Sequence, residues 1–282
     1  MASLRRARRS IANVAFTGFC WIATAVAIAA LALILWSLLR QGVGGLNLAV
    51  FTQSTPAPGS PGGLLNAIVG SIILCVLAMV LAVLVGVLAG TWLAEYGRDT
   101  AYAQAVRFVN DILLSAPSVL VGLFVYYILV AHVIGHFSAI AGSVALALIA
   151  VPIITRTTED VLKLQPTSLR ESGVALGTPH WVAIRKILWK SAGSGILTGG
   201  LLAFARISGE TAPLLFTSLN NQFFSVSLTQ PMASLPIVIF QFALSAYDDW
   251  VRLAWAGALI TAAAVLAANI LARVVTREPR RS

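Results

Sequence analysis

Arg206 and Glu210 stand four residues apart in the segment Ala192–Phe216, which carries no other Asp, Glu, Lys or Arg. Read as a helix, that spacing puts both on one face. Were the segment to cross a bilayer, an isolated charge at its centre would cost about 2.5–3.5 kcal/mol. Two lipid-facing charges would then cost about 5–7 kcal/mol on the same scale. The pair must therefore face protein or water. A guanidinium stays charged at any physiological pH, is weakly hydrated, and offers a planar fork of donors that fits an oxyanion. The carboxylate beside it would hold the fork extended and keep an anion from binding too tightly. A plainer reading also stands: an ion pair that only fixes helix packing.

Other chemistry is not suggested by the chain. No Gly-x-x-x-x-Gly-Lys-Ser/Thr loop is present to cradle ATP phosphates, and no soluble portion holds a Ser/His/Asp or Cys/His arrangement. His132 and His136 are four apart in a short turn with no third metal ligand evident, so interface polarity is expected there. His180 belongs to an inner turn. Cys20 and Cys75 fall inside apolar segments and read as small hydrophobes. No metal, disulfide or cofactor is expected on this chain.

The elements that must position the charge pair are set by composition. Of 282 residues, 59% are apolar and 10% charged, against about 45–50% and 25% in an average soluble domain. With a mean hydropathy of +0.90, the chain cannot cover itself as a soluble globule. An all-α integral membrane protein is implied, and disorder and a secreted disulfide scaffold are excluded. Dividing the uncharged stretches at their Gly/Pro/polar breaks gives six helices of membrane length. They run roughly over Phe16–Leu39, Leu64–Ala94, Ile112–Ala131, Ala139–Thr155, Ala192–Phe216 and Val251–Ala272. With the N-terminus inside, sixteen of the nineteen Lys and Arg fall in inner segments, and Arg40 and Arg252 lie outside. That asymmetry puts both termini in the cytoplasm. The net charge of +9 arises from loops between helices, not from one basic face, so nucleic acid is a poor explanation of it.

This division assigns 1–15 to a basic arm, 16–39 to the first span and 40–63 to an outer Gly/Pro-rich linker with no fold of its own. Residues 64–273 form the core, and 274–282 a basic tail. The first span is read as an anchor: its uncharged run of 29 residues exceeds the roughly 7–15 of a signal peptide. Within the outer loop 217–250, Pro231 and Pro236 precede the apolar run Ile237–Leu244, either a re-entrant or interfacial piece or a loop packed over the helix ends. The inner segment 156–191 is the most polar. Pro166 stops one helix, Thr167 or Ser168 can cap the next with Glu171 completing a capping box, and Gly177 with Pro179 breaks it before Trp181–Lys190. Two short helices joined by a Gly turn make a docking element. Pro117 and Pro152 are expected to kink helices three and four. Gly86-x-x-x-Gly90 and Gly195-x-x-x-Gly199 permit close helix contact and say little about a partner.

Two stretches resemble a known family. Glu171-Ser172-Gly173, three residues, Gly177, nine residues, Ile187 follows the coupling-helix motif of ATP-binding-cassette importer permeases. Ser172 and Gly173 replace its two alanines, and Trp189 and Lys190 stand where its closing Leu-Pro would be. The missing proline leaves the second docking helix free to run into helix five. Ala205-Arg206-Ile207-Ser208-Gly209-Glu210-Thr211-Ala212-Pro213-Leu214 resembles the helix-five signature of phosphate-uptake permeases, of the PstA type and not the PstC type. The resemblance extends over roughly Leu64 to Arg273.

It implies a type I importer permease (MetI-like) core of five helices with a peripheral N-terminal helix, in the plasma or inner membrane. Arg206, Gly209, Glu210, Thr211 and Pro213 would border the substrate pathway, with Arg206 meeting phosphate in transit. Glu171, Ser172, Gly173, Gly177 and Ile187 would couple to the ATPase. The implied partners are a PstC-like second permease, two ATPase subunits that use ATP and Mg, and an extracytoplasmic phosphate-binding protein. Two rivals stand beside this reading: a permease of the same architecture for another oxyanion or small solute, and an ion-driven carrier working alone, for which no inverted repeat is evident.

Overall fold

The computed structural model describes residues 2–97, 99–175 and 177–275, and their regular structure is entirely helical. Expectations resting on Arg98, Leu176 and the basic tail beyond Val275 lie outside the described residues. Among the described residues, five helical stretches are long and apolar enough to cross a membrane: Ala12–Gly45, Leu65–Gly97, Ala139–Lys163, His180–Ser208 and Asp248–Leu271. A bent pair, Ala101–Ser115 with Ser118–Ile134, makes a sixth if it is read as one span.

Helix α1 (Ala2–Gly45) carries the arm and the first span without interruption, since no proline or polar turn intervenes before its closing glycines. Its apolar side chains remain exposed over most of its length. It meets the rest of the chain along α12 (Asp248–Val275), where a Cβ on Gly42 would fall 2.7 Å from the side chain of Leu259. The first helix is peripheral, as expected.

The centre is built on α6 (Ala139–Lys163), flanked by α3 (Leu65–Trp92) and α9 (Trp189–Ser208). Lipid tails are as apolar as leucine, so helices in a membrane associate through close approach. Gly86 and Gly90 of α3 lie against Ile154 and Thr158 of α6, and Gly195 and Gly199 of α9 against Val161 and Thr157. Both small-residue pairs thus pack within the chain. Leu74, Ala78, Leu146, Ile154, Ala203 and Ile207 fill the space between these helices.

Helix three differs from expectation. It is α4 (Ala101–Ser115), capped by Thr100, then α5 (Ser118–Val125), which continues as a π-helical stretch, Tyr126–Ile134; the two halves meet at 107°. Pro117 lacks an N–H and disfavours helical backbone at the preceding residue; Ala116 accordingly takes φ −66°, ψ 135°. Hydropathy missed α4 because Arg107 and Asp111 interrupt its apolar face. Pro152 is instead accommodated inside α6, buried, with its carbonyl accepting from Asn110 Nδ2 at 3.3 Å. Helix α6 also runs past the expected Thr155.

The segment 40–63, expected as an unfolded linker, has structure of its own. Asn47 caps α2 (Leu48–Thr52), Val50 is buried, and Thr55 is tied to Asn66, whose amide also donates to the carbonyl of Asn221 at 2.8 Å. Spacing of turn residues does not reveal contacts made 155 residues away. The loop after α10 (Ala212–Thr217) folds back, so that the carbonyls of Thr217, Gln230 and Leu228 accept the otherwise orphaned N–H groups of Ser138, Ala139 and Ile140 at the start of α6. Residues 237–244, expected as a re-entrant or interfacial piece or as a packed loop, fall almost wholly in a short helix. It is α11 (Leu235–Ala243), at about 1.5 Å per residue too short to span, buried against α12 and α3.

Candidate functional site

Helix α9 ends at Ser208 and does not continue to Phe216 as expected. Glycine is a weak helix former, and Pro213 cannot donate to the carbonyl four residues back and would clash with it. The chain breaks at Gly209–Glu210 and restarts as α10 with Pro213 in its first turn. Pro213 packs where Gly122 of α5 leaves room; a Cβ on Gly122 would come within 2.6 Å of Pro213 Cα. Thr211 is half-buried at the α10 cap, and Gly209 is exposed.

The break positions the charge pair. Arg206, in the last turn of α9 where the helix dipole favours a cation, places Nη2 3.1 Å from Glu210 Oε1. The Glu210 side chain is 9% exposed and that of Arg206 58%. The carboxylate is thus set into the fold, and the guanidinium is held at its edge with donors open. Beside it lies a groove of about 910 Å³ between α9, α11 and α12. Gly209 and Thr211 line that groove with Pro236, Thr261 and Asn269; Arg206 does not. The hydroxyl of Thr261 and the amide of Asn269 bond carbonyls of their own helix, at 2.9 and 2.8 Å.

The second predicted set lies at the other end of the same rod. Helix α7 (Thr167–Ala175) is followed by a turn in which Gly177 takes φ +69°, a value that favours glycine. Thr178 closes the turn by donating to the Gly173 carbonyl through both N–H (3.2 Å) and hydroxyl (2.6 Å). Helix α8 (His180–Ala183) passes through a π-helical turn, Ile184–Leu188, straight into α9. Gly173 is buried, and a Cβ there would fall 2.7 Å from Ala183 and 3.3 Å from Ile187. Gly173 and Ile187 therefore pack within the element and Gly177 forms its exposed turn, while Glu171 and Ser172 face outward. At 1.5 Å per residue, Ile187 and Arg206 are about 28 Å apart along the rod. The structure keeps the two sets apart.

Two buried acids escaped the sequence reading. Glu95, in a π-helical turn (Leu93–Gly97) that extends α3, has a side chain with no exposure and receives Arg170 of α7: Nη2 to Oε1 at 2.8 Å and Nε to Oε2 at 3.0 Å. That carboxylate raises the Arg170 guanidinium above its ordinary, already high pKa, so it stays charged at every accessible pH. Glu159 of α6 accepts from Arg107 Nε at 2.7 Å and from Lys163 one turn on. The available signal was an acid just past the end of an apolar span, which a count of Lys and Arg passes over. His132 and His136 bond the carbonyls of Tyr127 and Phe137, and no cluster of three metal-ligating side chains occurs among the described residues. Cys20 is exposed on α1, not buried.

Comparison with known proteins bears on this geometry. Residues 83–281 match the model of a family described as binding-protein-dependent transport system inner membrane component. The phosphate transport system permease protein PstA of Yersinia pestis is 57% identical over 243 residues, covering 86% of this chain and 82% of that protein. Its counterpart in Haemophilus influenzae is 50% identical over 272 residues, 96% of each. Among solved structures, a chain of the MetNI methionine ABC transporter in an inward-facing conformation superposes with a TM-score of 0.60 over 76% of this chain and 96% of its own, at 17% identity, a likeness of fold alone. This chain belongs to the family of binding-protein-dependent transport system inner membrane components.

Proposed function

We propose that this chain is the transmembrane permease subunit of an ATP-driven importer of inorganic phosphate. One observation carries the reading: a guanidinium in a segment, Ala192–Phe216, whose one other charge is Glu210, gripped on one side by that carboxylate and open on the other. Left against lipid at the bilayer centre, such a charge would cost about 2.5–3.5 kcal/mol, and less toward either interface. A second permease subunit of PstC-like kind covers this face, and the two chains line one conduit. Arg206 meets the anion there, Glu210 tunes its grip, and Gly209, Thr211 and Pro213 keep the helix broken beside it. The names of relatives 57% and 50% identical supply the substrate.

In this reading six spans cross the plasma or inner membrane, with both termini cytoplasmic. The basic arm, first span and outer segment precede a permease core over 64–273. Glu171 and Ser172 present the docking element of 156–191 to a pair of ATPase subunits. Those subunits bind and hydrolyse ATP with Mg, for which this chain has no loop. An extracytoplasmic phosphate-binding protein delivers substrate to the outer loop 217–250.

Reconstitution tests the proposal. Proteoliposomes holding both permeases, the ATPase and the binding protein should accumulate phosphate only with ATP, with sulfate or molybdate competing weakly. Accumulation by this chain alone would overturn the assignment.

A further inference from the structure

We propose that Glu95 and Arg170 are positioning residues that tie the docking helix α7 to the inner end of α3, so that a displacement of α7 is passed to α3 as a unit. The proposal rests on the permease function above and concerns how force from the ATPase enters the membrane part.

The geometry is that of a three-way joint. Arg170 Nε contacts both Glu95 oxygens, at 3.1 and 3.0 Å, and Nη2 meets Oε1 at 2.8 Å. The same guanidinium donates to the carbonyls of Gln165 and Leu162 at the end of α6, each at 2.7 Å. One planar group therefore joins α3, α6 and α7, and a bidentate fork fixes orientation as well as distance. A buried ion pair is weak evidence for stability, because desolvation offsets most of its attraction. Glu95 lies in a π-helical turn, a distortion often found at functional sites. Arg170 is the immediate neighbour of outward-facing Glu171. At the far end of α3, Ser71 Oγ accepts the N–H of Leu235 at 2.7 Å, which links α3 to α11 at the edge of the groove beside Arg206.

The test uses the full importer in proteoliposomes. Glu95→Gln and Arg170→Gln alone each leave a buried charge unpaired, and both should lower the yield of assembled complex. The double variant has no buried charge to strand, so assembly should recover. Phosphate moved per ATP hydrolysed should nevertheless fall by about fivefold or more, the lower end of ordinary coupling between sites. A double variant with the unaltered ratio, or one that assembles no better than the singles, overturns the tie.

A second measurement is independent of the transported solute. Nitroxides at Ser172→Cys and Leu88→Cys, with Cys20 and Cys75 replaced by serine, should give one narrow separation with and without ATP. The double variant should broaden it, and an unchanged distribution overturns the tie. Absence of phosphate transport by the unaltered complex would defeat the proposed function and leave this second measurement to decide the tie.

Discussion

Glu210 Oε1 lies 3.1 Å from Arg206 Nη2 across the break between α9 and α10, with the acid set into the fold and the guanidinium left open. In this chain one partner is anchored and the other presented, which in the proposed reading lets the guanidinium trade between an internal carboxylate and a passing anion.

Removing the anchoring charge should strengthen that grip and slow release. Glu210→Gln is expected to lower both the apparent KM and the maximal rate of phosphate uptake by about twofold, the scale of a part-exposed i,i+4 pair. Initial-rate uptake kinetics check this, and a raised KM would count against a tuning role.

Glu171 faces outward from α7, and its loss should leave the chain's own stability within about 0.5 kcal/mol. Glu171→Ala should instead weaken retention of the ATPase subunit. Thermal unfolding of the purified chain and copurification of the complex, read side by side, separate the two effects.

Helix contact in the core depends on missing side chains. Gly199 lies against Thr157 of α6 with no room for a Cβ. Gly199→Val should destabilise the chain by about 1–3 kcal/mol through overpacking, seen as a lower thermal midpoint in detergent. The same change at Gly200, where a Cβ meets open space, should do much less.

Near the start of α3, Asn66 joins 40–63 to the loop after α10 through four hydrogen bonds. Asn66→Ala leaves the Thr55 N–H without its partner and should cost about 1–3 kcal/mol. Because that network shapes the outer loops, stimulation of ATP hydrolysis by the binding protein should fall with it.

What was legible in the sequence follows from the range of each force. Hydropathy reports long apolar segments, so α3 and α12 were placed to within a turn, while α1 extends 14 residues before the expected Phe16 and α6 eight residues past the expected Thr155. Gly177 and Pro179 are local breakers, and the two short helices joined by a glycine turn followed from them. The bend at Pro117 was underestimated as a kink because α4 carries Arg107 and Asp111, which hydropathy reads as the end of a membrane segment. The spacing of Arg206 and Glu210 foretold their pairing, while the end of α9 between them depended on where Pro213 packs against Gly122. The Glu95–Arg170 joint joins residues 75 positions apart, and no periodicity carries that information.

The most direct test is phosphate uptake by the assembled importer carrying Arg206→Lys, which keeps the charge and removes the fork. With the complex intact by copurification, the initial rate should fall at least about tenfold, the loss of a hydrogen bond to a charged group. Uptake at the unaltered rate would contradict the role assigned to Arg206.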